Sequence, residues 1–153
     1  MDSAKRFTVP FIIDGQDFIS DQTFDVTSPE TGKSVWSSCA ATASDAIKAV
    51  ESCQNAFSSW SQTAPPFRRD IFLRAADILE RRATELAEYM MIETGSNAFW
   101  AEQFNLPLAA EIIRDMAGRS NQLGGEIPLL DNANTSALVW REPYGVILGI
   151  APW

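Results

Sequence analysis

The clearest structural signal in the sequence is its last stretch, REPYGVILGIAPW, residues 141–153. A charged, proline-containing start leads into an apolar run with two glycines, residues 145–150, and Ala151-Pro152-Trp153 follows. A short apolar run between turn residues is typical of a strand buried on both faces, as in a parallel sheet. We therefore expect an α/β fold in which this run is a strand and a ligand binds just beyond its carboxyl end.

The two glycines of this run, Gly145 and Gly149, suggest what the strand does. Glycine inside a strand weakens it and usually marks a close approach by backbone or ligand. Trp153, after Pro152, would place a large aromatic ring at the mouth of the crevice. Taken alone, the residues leave two interpretations equally open, a buried core strand and the edge of a cofactor site.

Composition excludes several classes of partner. The chain has 153 residues, 46% of them apolar, which is enough for one globular domain with a core. Its net charge is −8, from 12 basic and 20 acidic residues, which argues against nucleic acid or an anionic membrane as a partner. No apolar run is long enough to cross a bilayer, and the N-terminal patch is too short for a signal peptide. We therefore expect a cytoplasmic protein without a membrane contact.

The two cysteines and the absence of histidine restrict the chemistry. They exclude a disulfide framework, most zinc sites and every catalytic arrangement that needs histidine. Cys53 falls on an apolar helix face and Cys39 at the end of a predicted strand. Neither adjoins a lysine or arginine that would lower the pKa of its thiol. We interpret both as structural and expect no metal site.

The order of predicted elements divides the chain into three regions: residues 1–41, 42–125 and 126–153. The first region holds two small antiparallel hairpins. Asp14-Gly15 forms the turn of one of them, and SPETG, residues 28–32, forms the turn of the other. The last region holds a strand, about residues 136–142, that leads into the terminal run.

The middle region is predicted to be helical. Thr42 or Ser44 caps the first helix, and Pro65-Pro66 begins the second at positions that need no N–H donor. A third stretch, about residues 84–94, ends at Gly95. The longest candidate, residues 97–123, is interrupted by Pro107, so we expect a kink or restart near Leu106. On the second helix, Asp70–Arg74 and Asp77–Arg81 have the spacing of ion pairs.

These blocks together resemble a family. REPYGVILGIAPW resembles the signature of the aldehyde dehydrogenases, a Glu-Pro-x-Gly-Val entry followed by Ile-x-Pro-Trp. FIIDGQDF, DVTSPETGK and AGRSNQLGGEIP resemble further family segments in the same order, so the resemblance covers nearly the whole chain. It is similar most of all to the subgroup that oxidises aromatic aldehydes of the salicylaldehyde and vanillin type. Gly95-Ser96-Asn97 and Asp115-Met116 depart from the family pattern, and both lie near the expected substrate tunnel.

The resemblance implies an α/β fold that is the N-terminal portion of an aldehyde dehydrogenase. It would consist of small antiparallel hairpins, several helices and the first strand of an incomplete dinucleotide-binding domain. Family members oxidise an aldehyde to a carboxylic acid with NAD or NADP. By resemblance, the positions that line the cofactor site are Ile150, Ala151, Pro152 and Trp153, and Leu108 falls near the wall of the substrate tunnel. The catalytic asparagine, glutamate and cysteine of the family match no residue of this chain.

We therefore expect the chain alone to be inactive and to bind no cofactor. A βαβ unit for a dinucleotide needs about thirty residues or more, and none follows the first predicted strand. The apolar residues of that strand would lack neighbouring strands to cover them. Two alternatives stay open beside a truncated enzyme, a short non-catalytic interaction module and the remnant of a decayed gene. The partners implied are an aldehyde substrate for the longer protein and, for this chain, a homo-oligomer or a full-length relative.

Overall fold

A computed structural model describes residues 7–132 and 134–151 of the chain. Five short strands come first: β1 (Thr8–Val9), β2 (Phe11–Ile13), β3 (Gln16–Phe18), β4 (Thr23–Thr27) and β5 (Ser34–Cys39). Four α-helices follow: α1 (Ala43–Trp60), α2 (Pro65–Arg81), α3 (Ala83–Thr94) and α4 (Leu106–Arg119). A π-helical segment, Phe99–Asn105, runs directly into α4.

The two predicted hairpins are confirmed. Asp14 and Gly15 both have positive φ, 54° and 70°, and they join β2 to β3 with Phe11 opposite Phe18. These φ values are the ones that a two-residue hairpin turn requires. β4 and β5 form the second antiparallel pair, whose turn is closed by the Gly32 N–H donating to the Ser28 carbonyl at 2.9 Å. β1 was not predicted, and it extends this pair to a three-stranded sheet by pairing in parallel with β5.

The helix ends follow the predicted signals. Thr42 is the N-cap of α1: its hydroxyl accepts from the Asp45 N–H, and the Asp45 carboxylate accepts from the Thr42 N–H at 3.0 Å. Pro65 is the first residue of α2. Gly95 ends α3 in the left-handed conformation, with φ 69°, and its N–H donates to the Met91 carbonyl. The expected restart at Leu106 is also confirmed, because the π-helical geometry stops there and the α-helix begins.

The two predicted intrahelical ion pairs of α2 are replaced by other partners. Asp70 pairs with Arg69 at 2.8 Å. Asp77 instead accepts from Arg114 of α4, also at 2.8 Å, so the carboxylate joins two helices rather than two turns of one.

The helical core is made of small side chains. α2 and α4 pack along each other, and α3 packs on the π-helical segment. The fully buried apolar residues of the helices are Ala76, Ala87, Ala101, Ala110 and Ala117, with Leu106 almost fully buried. Alanine at these positions allows the helix backbones to approach closely, but it buries little apolar area. No large side chain among the described residues is fully buried.

Apolar surface is exposed to an unusual extent. The chain exposes 12322 Å², whereas a folded monomer of its 16.9 kDa mass exposes about 7,700 Å². α1 has no buried residue, and its apolar residues Ile47 and Val50 are 59% and 56% exposed. The N-terminal half of the apolar face of α1, which carries Ile47 and Val50, is therefore largely exposed.

The predicted strands of the last region are not formed. Among the described residues of 126–142 there is a single bridge, in which Glu126 and Val139 exchange two backbone hydrogen bonds of 2.8 and 2.9 Å. Gly125 permits this approach, because a Cβ there would lie 2.4 Å from the Val139 carbonyl oxygen. The described residues of the run 145–150 contain no strand. A strand needs a hydrogen-bonding neighbour along its length, and the described residues supply none to this run.

Candidate functional site

The terminal segment carries the cofactor-site residues that the resemblance implies. Ile150 and Ala151 lie in irregular, exposed backbone, and Ile150 is 86% exposed. Pro152 and Trp153 lie outside the described residues. Ile147 and Leu148 are 76% and 83% exposed, as the lack of covering strands leads one to expect. The described part of this segment is therefore an apolar surface rather than the wall of a crevice.

The described residues of this chain do not fit a dinucleotide. A dinucleotide binds where a parallel sheet, its crossover helices and a glycine-rich turn meet. The parallel pairing that the structure describes is between β1 and β5, and Ile150 belongs to neither strand. Apart from the chain neighbours of each glycine, no described residue lies within 4 Å of the position of a Cβ at Gly145 or Gly149, so the described part of the chain shows no close approach at these glycines.

The start of the terminal run lies against α1. A cavity of about 260 Å³ separates them, lined by Gly145, Val146 and Ile147 on one side and by Cys53, Ala56, Phe57 and Trp60 on the other. Gly145 turns the chain here with φ 101°, a conformation that residues with a Cβ rarely adopt. Val146, which lines this cavity, is 37% exposed, less than the residues that follow it.

Leu108 lies in the first turn of α4 and is 41% exposed. Phe104 and Trp100 precede it at intervals of four residues, and their rings meet edge to face with centroids 4.7 Å apart. Phe99 adds a third ring, 6.0 Å from Trp100. Sequence reasoning selected Leu108 and missed this aromatic cluster, although three aromatic residues within the six residues 99–104 were a visible signal. The cluster and Leu108 extend an exposed apolar side of the same helical segment.

The two cysteines differ in environment. Cys39 is buried at the end of β5, where its Sγ accepts a hydrogen bond from the Ser20 N–H at 3.3 Å. Cys53 is exposed on α1, beside the terminal run. Among the described residues, no lysine or arginine lines the cavity beside Cys53.

Three further cavities lie around α3, where the three-stranded sheet meets the helices. They measure about 570, 510 and 410 Å³, and Trp36, Tyr89 and Glu93 each line two of them. At the smallest of the three, Arg82 donates two hydrogen bonds to Glu85, of 2.8 and 2.9 Å. These bonds lower the pKa of the Glu85 carboxyl below its usual value. None of the four cavities includes Leu108, Ile150 or Ala151, so the structure does not bring the predicted site residues together there.

No helix within the described ranges 7–132 and 134–151 is both long and apolar enough to cross a membrane.

Sequence comparison gives the chain its relatives. The model of the aldehyde dehydrogenase family matches residues 18–153. A salicylaldehyde dehydrogenase of Pseudomonas putida is 37% identical over 137 residues, which are 90% of this chain and 28% of the relative. A vanillin dehydrogenase of Pseudomonas fluorescens is 41% identical over 147 residues, or 95% of this chain and 30% of the relative. The chain thus spans under a third of the length of these relatives and matches their N-terminal part.

Solved structures agree with the sequence comparison. The salicylaldehyde dehydrogenase of Pseudomonas putida G7, complexed with salicylaldehyde, superposes with a TM-score of 0.81 at 33% identity. That match covers 89% of this chain and 28% of the other. An indole-3-acetaldehyde dehydrogenase in its apo form gives a TM-score of 0.82 at 30% identity, over 94% and 33% of the two chains. The hairpins and helices of this chain are those of the N-terminal portion of that fold.

Because the family model covers most of its length and the architecture agrees, the chain belongs to the aldehyde dehydrogenase family.

Proposed function

We propose that the chain is part of an NAD(P)-dependent aldehyde dehydrogenase that oxidises an aromatic aldehyde to its carboxylic acid. The observation that carries this proposal is the 37–41% identity to salicylaldehyde and vanillin dehydrogenases over nine-tenths of the chain. In this proposal Ile150, Ala151, Pro152 and Trp153 contribute to the cofactor site of the longer protein. Leu108 contributes to the wall of its substrate tunnel.

We further propose that the 153-residue chain by itself is inactive and binds neither NAD nor NADP. The exposed, irregular backbone of residues 146–151 supports this, because these residues form no crevice for a dinucleotide. In this proposal the three regions 1–41, 42–125 and 126–153 are parts of one incomplete unit. They act in the cytoplasm with the rest of the enzyme.

A chimera tests the proposed activity. Residues of the Pseudomonas fluorescens vanillin dehydrogenase that match this chain would be replaced by the chain, and NAD-dependent oxidation of vanillin and of acetaldehyde would be followed. We expect the chimera to oxidise the aromatic aldehyde with the higher kcat/KM. A folded chimera that binds NAD but prefers acetaldehyde would overturn the proposed substrate class.

Leu108→Arg in the chimera tests the tunnel residue. A charged side chain in an apolar tunnel should raise KM for vanillin while leaving KM for NAD unchanged. Leu123→Arg, at an exposed residue beyond the end of α4, is the matched control. If the two substitutions change KM for vanillin equally, Leu108 does not line the tunnel.

The isolated chain tests the proposed inactivity. We expect no NADH from benzaldehyde and NAD, and no heat of NAD binding by calorimetry. Measurable turnover would refute the proposal directly. Sequencing the coding DNA beyond the codon of Trp153 separates a longer enzyme from the alternatives. An in-frame asparagine followed by a glycine-rich segment, a glutamate and a cysteine supports the enzyme.

The second candidate function is a non-catalytic module that captures a full-length relative. It is favoured by an exposed surface about 4,600 Å² larger than that of a folded monomer of this mass. This excess on one chain is larger than the roughly 1,000–2,500 Å² that each partner of an obligate interface typically buries. Co-expression with the full-length vanillin dehydrogenase, followed by purification through a tag on the short chain, decides it. Absence of the enzyme from the purified material would exclude this role.

A further inference from the structure

A groove runs between the three-stranded sheet and α3. Its volume is about 410 Å³. Aromatic and aliphatic side chains form much of its wall, and charged groups of α3 stand along one side. The lining residues are Phe7, Val9, Trp36, Arg82, Glu85, Tyr89 and Glu93.

Trp36 contacts both Glu93 and Tyr89. The Trp36 Nε1–H donates to Glu93 Oε1 at 3.0 Å, and the rings of Trp36 and Tyr89 meet edge to face at 5.8 Å. Glu85, Tyr89 and Glu93 follow one another at intervals of four residues on α3, so they share one face of the helix. A carboxylate that accepts one hydrogen bond therefore stands beside a pair of aromatic rings.

The charges of the groove do not balance. Arg82, the residue just before α3, donates two hydrogen bonds to Glu85, so its positive charge is neutralised by the first turn of that helix. No salt bridge reaches Glu93 from any residue in the described ranges. Counted over its described lining residues, the groove thus carries one negative charge in excess, on a chain whose net charge is −8.

We propose that this groove binds a guanidinium group, the head of an arginine-containing ligand. Aromatic rings attract a cation that lies over their faces, and guanidinium does this more often than ammonium. Guanidinium is planar and weakly hydrated, so it loses little on entering an apolar groove, and it pairs with a carboxylate. A small hydrated cation such as sodium has no such match with the aromatic wall.

The test uses the 153-residue chain with isotope-labelled tryptophan, and NMR follows the indole N–H resonance of Trp36. Trp36→Phe assigns that resonance. N-acetyl-arginine methylamide is titrated against the neutral citrulline analogue and against sodium chloride at equal ionic strength. We expect a saturable shift with the arginine probe and none with the other two. Equal shifts with sodium chloride or with the citrulline analogue would overturn the proposal.

Substitutions in the groove test which residues contribute to binding of the arginine probe. Glu93→Gln should weaken binding of the arginine probe up to about fivefold. Tyr89→Leu should weaken it about two- to fivefold. Glu88→Gln, on α3 but outside the groove, is the matched control and should bind as the unmodified chain does. Unchanged affinity of the Glu93 variant would overturn the proposal. If a variant loses helix by circular dichroism, the three probes on the unmodified chain decide alone.

Discussion

The ionisation of Asp45 is coupled to the capping box that Asp45 forms with Thr42 at the start of α1. Hydrogen bonds from the Thr42 hydroxyl and the Thr42 N–H, with help from Lys48, lower the pKa of the Asp45 carboxyl from 3.8 to about 2. A carboxyl whose pKa is lowered in the folded state stabilises that state above its unfolded pKa. The contribution is lost as the pH falls from about 4 towards 2. The first turn of α1 should therefore loosen in this window.

Thr42→Ala tests this coupling. Without the hydroxyl, the pKa of Asp45 should rise from about 2 towards 3.8, which an NMR titration of the carboxyl carbon measures directly. Thr63→Ala removes a hydroxyl at the other end of α1, where it donates to the Trp60 carbonyl, and should leave Asp45 unchanged. A Thr42 variant with an unshifted Asp45 would show that the capping box does not form in solution.

Gly95 makes a second prediction at the scale of a residue. Its φ of 69° is costly for any residue with a Cβ, and a Cβ there would lie 3.1 Å from Pro29 Cγ. Gly95→Ala should lower the free energy of unfolding by about 1–2 kcal/mol. Gly118→Ala, in α4 with open space around the new methyl group, should raise it by about 0.5–1 kcal/mol. Urea denaturation followed by circular dichroism measures both, and equal effects would contradict the left-handed end of α3.

At the scale of elements, Arg114 joins α4 to α2. Its guanidinium donates to Asp77 at 2.8 Å and to both oxygens of Glu80. These bonds lower the pKa of Glu80 below its ordinary value. The ion pair between Arg114 and Glu80 is therefore fully present at a pH above 4.5, the ordinary pKa of a glutamate. It is lost on acidification as Glu80 becomes protonated.

Arg114→Met should return the pKa of Glu80 upwards towards 4.5, as measured by NMR titration. Arg119→Met is the control, because Arg119 pairs with Asp115 within α4 and has no bond to Glu80 in the described structure. If Glu80 titrates alike in both variants, α2 and α4 are not joined by Arg114 in solution. Added salt should raise the Glu80 pKa of the unmodified chain, because exposed pairs are screened.

The sequence predicts local elements well and their neighbours poorly. The Asp14-Gly15 turn, the Thr42 cap, Pro65 and Gly95 each act within a few residues, so their effects could be read from the pattern. The partner of Asp77 could not, because Arg114 lies 37 residues away and only packing brings it near. β1 was missed for the same reason: two residues pair with a strand far along the chain.

For the terminal run, the sequence predicted a strand that the structure does not contain in its described residues. Its apolar composition fits a buried strand, yet residues 145–150 remain irregular, and residues 146–150 are exposed. An apolar run of this kind forms a buried strand only where neighbouring strands pair with it and cover it. The described residues provide no such neighbours. The π-helical segment before Leu106 was also unforeseen, although Pro107 correctly indicated where the α-helix begins. For the candidate site, Leu108 could be named only through family resemblance.

At the scale of the whole molecule, exposed apolar area is the dominant property. Leaving Ile147, Leu148 and Ile150 in water forfeits about 1.5–3 kcal/mol for each. This is a large share of the 5–15 kcal/mol that usually separates folded from unfolded states. We expect the isolated chain to bind a hydrophobic dye strongly and to self-associate with rising concentration, as light scattering would measure.

Replacing Ile147, Leu148 and Ile150 together by serine should reduce both dye binding and association. The matched control is a triple serine variant at the exposed polar residues Asn132, Glu142 and Gln122. A monomer that melts cooperatively and binds no dye would show that this surface is covered in solution.

The hydrogen bond between Trp36 and Glu93 also has a consequence for the time course of folding. It closes a loop of 57 residues, whereas the bonds within each helix join residues one turn apart. Helices form in about a microsecond or less, but long loops close against a larger loss of chain entropy. The indole of Trp36 should therefore reach its native surroundings after the helices have formed. Stopped-flow circular dichroism should then show the helix signal already gained within the dead time of mixing, whereas an optical signal specific to Trp36 should follow as a later phase, the docking of the sheet on α3.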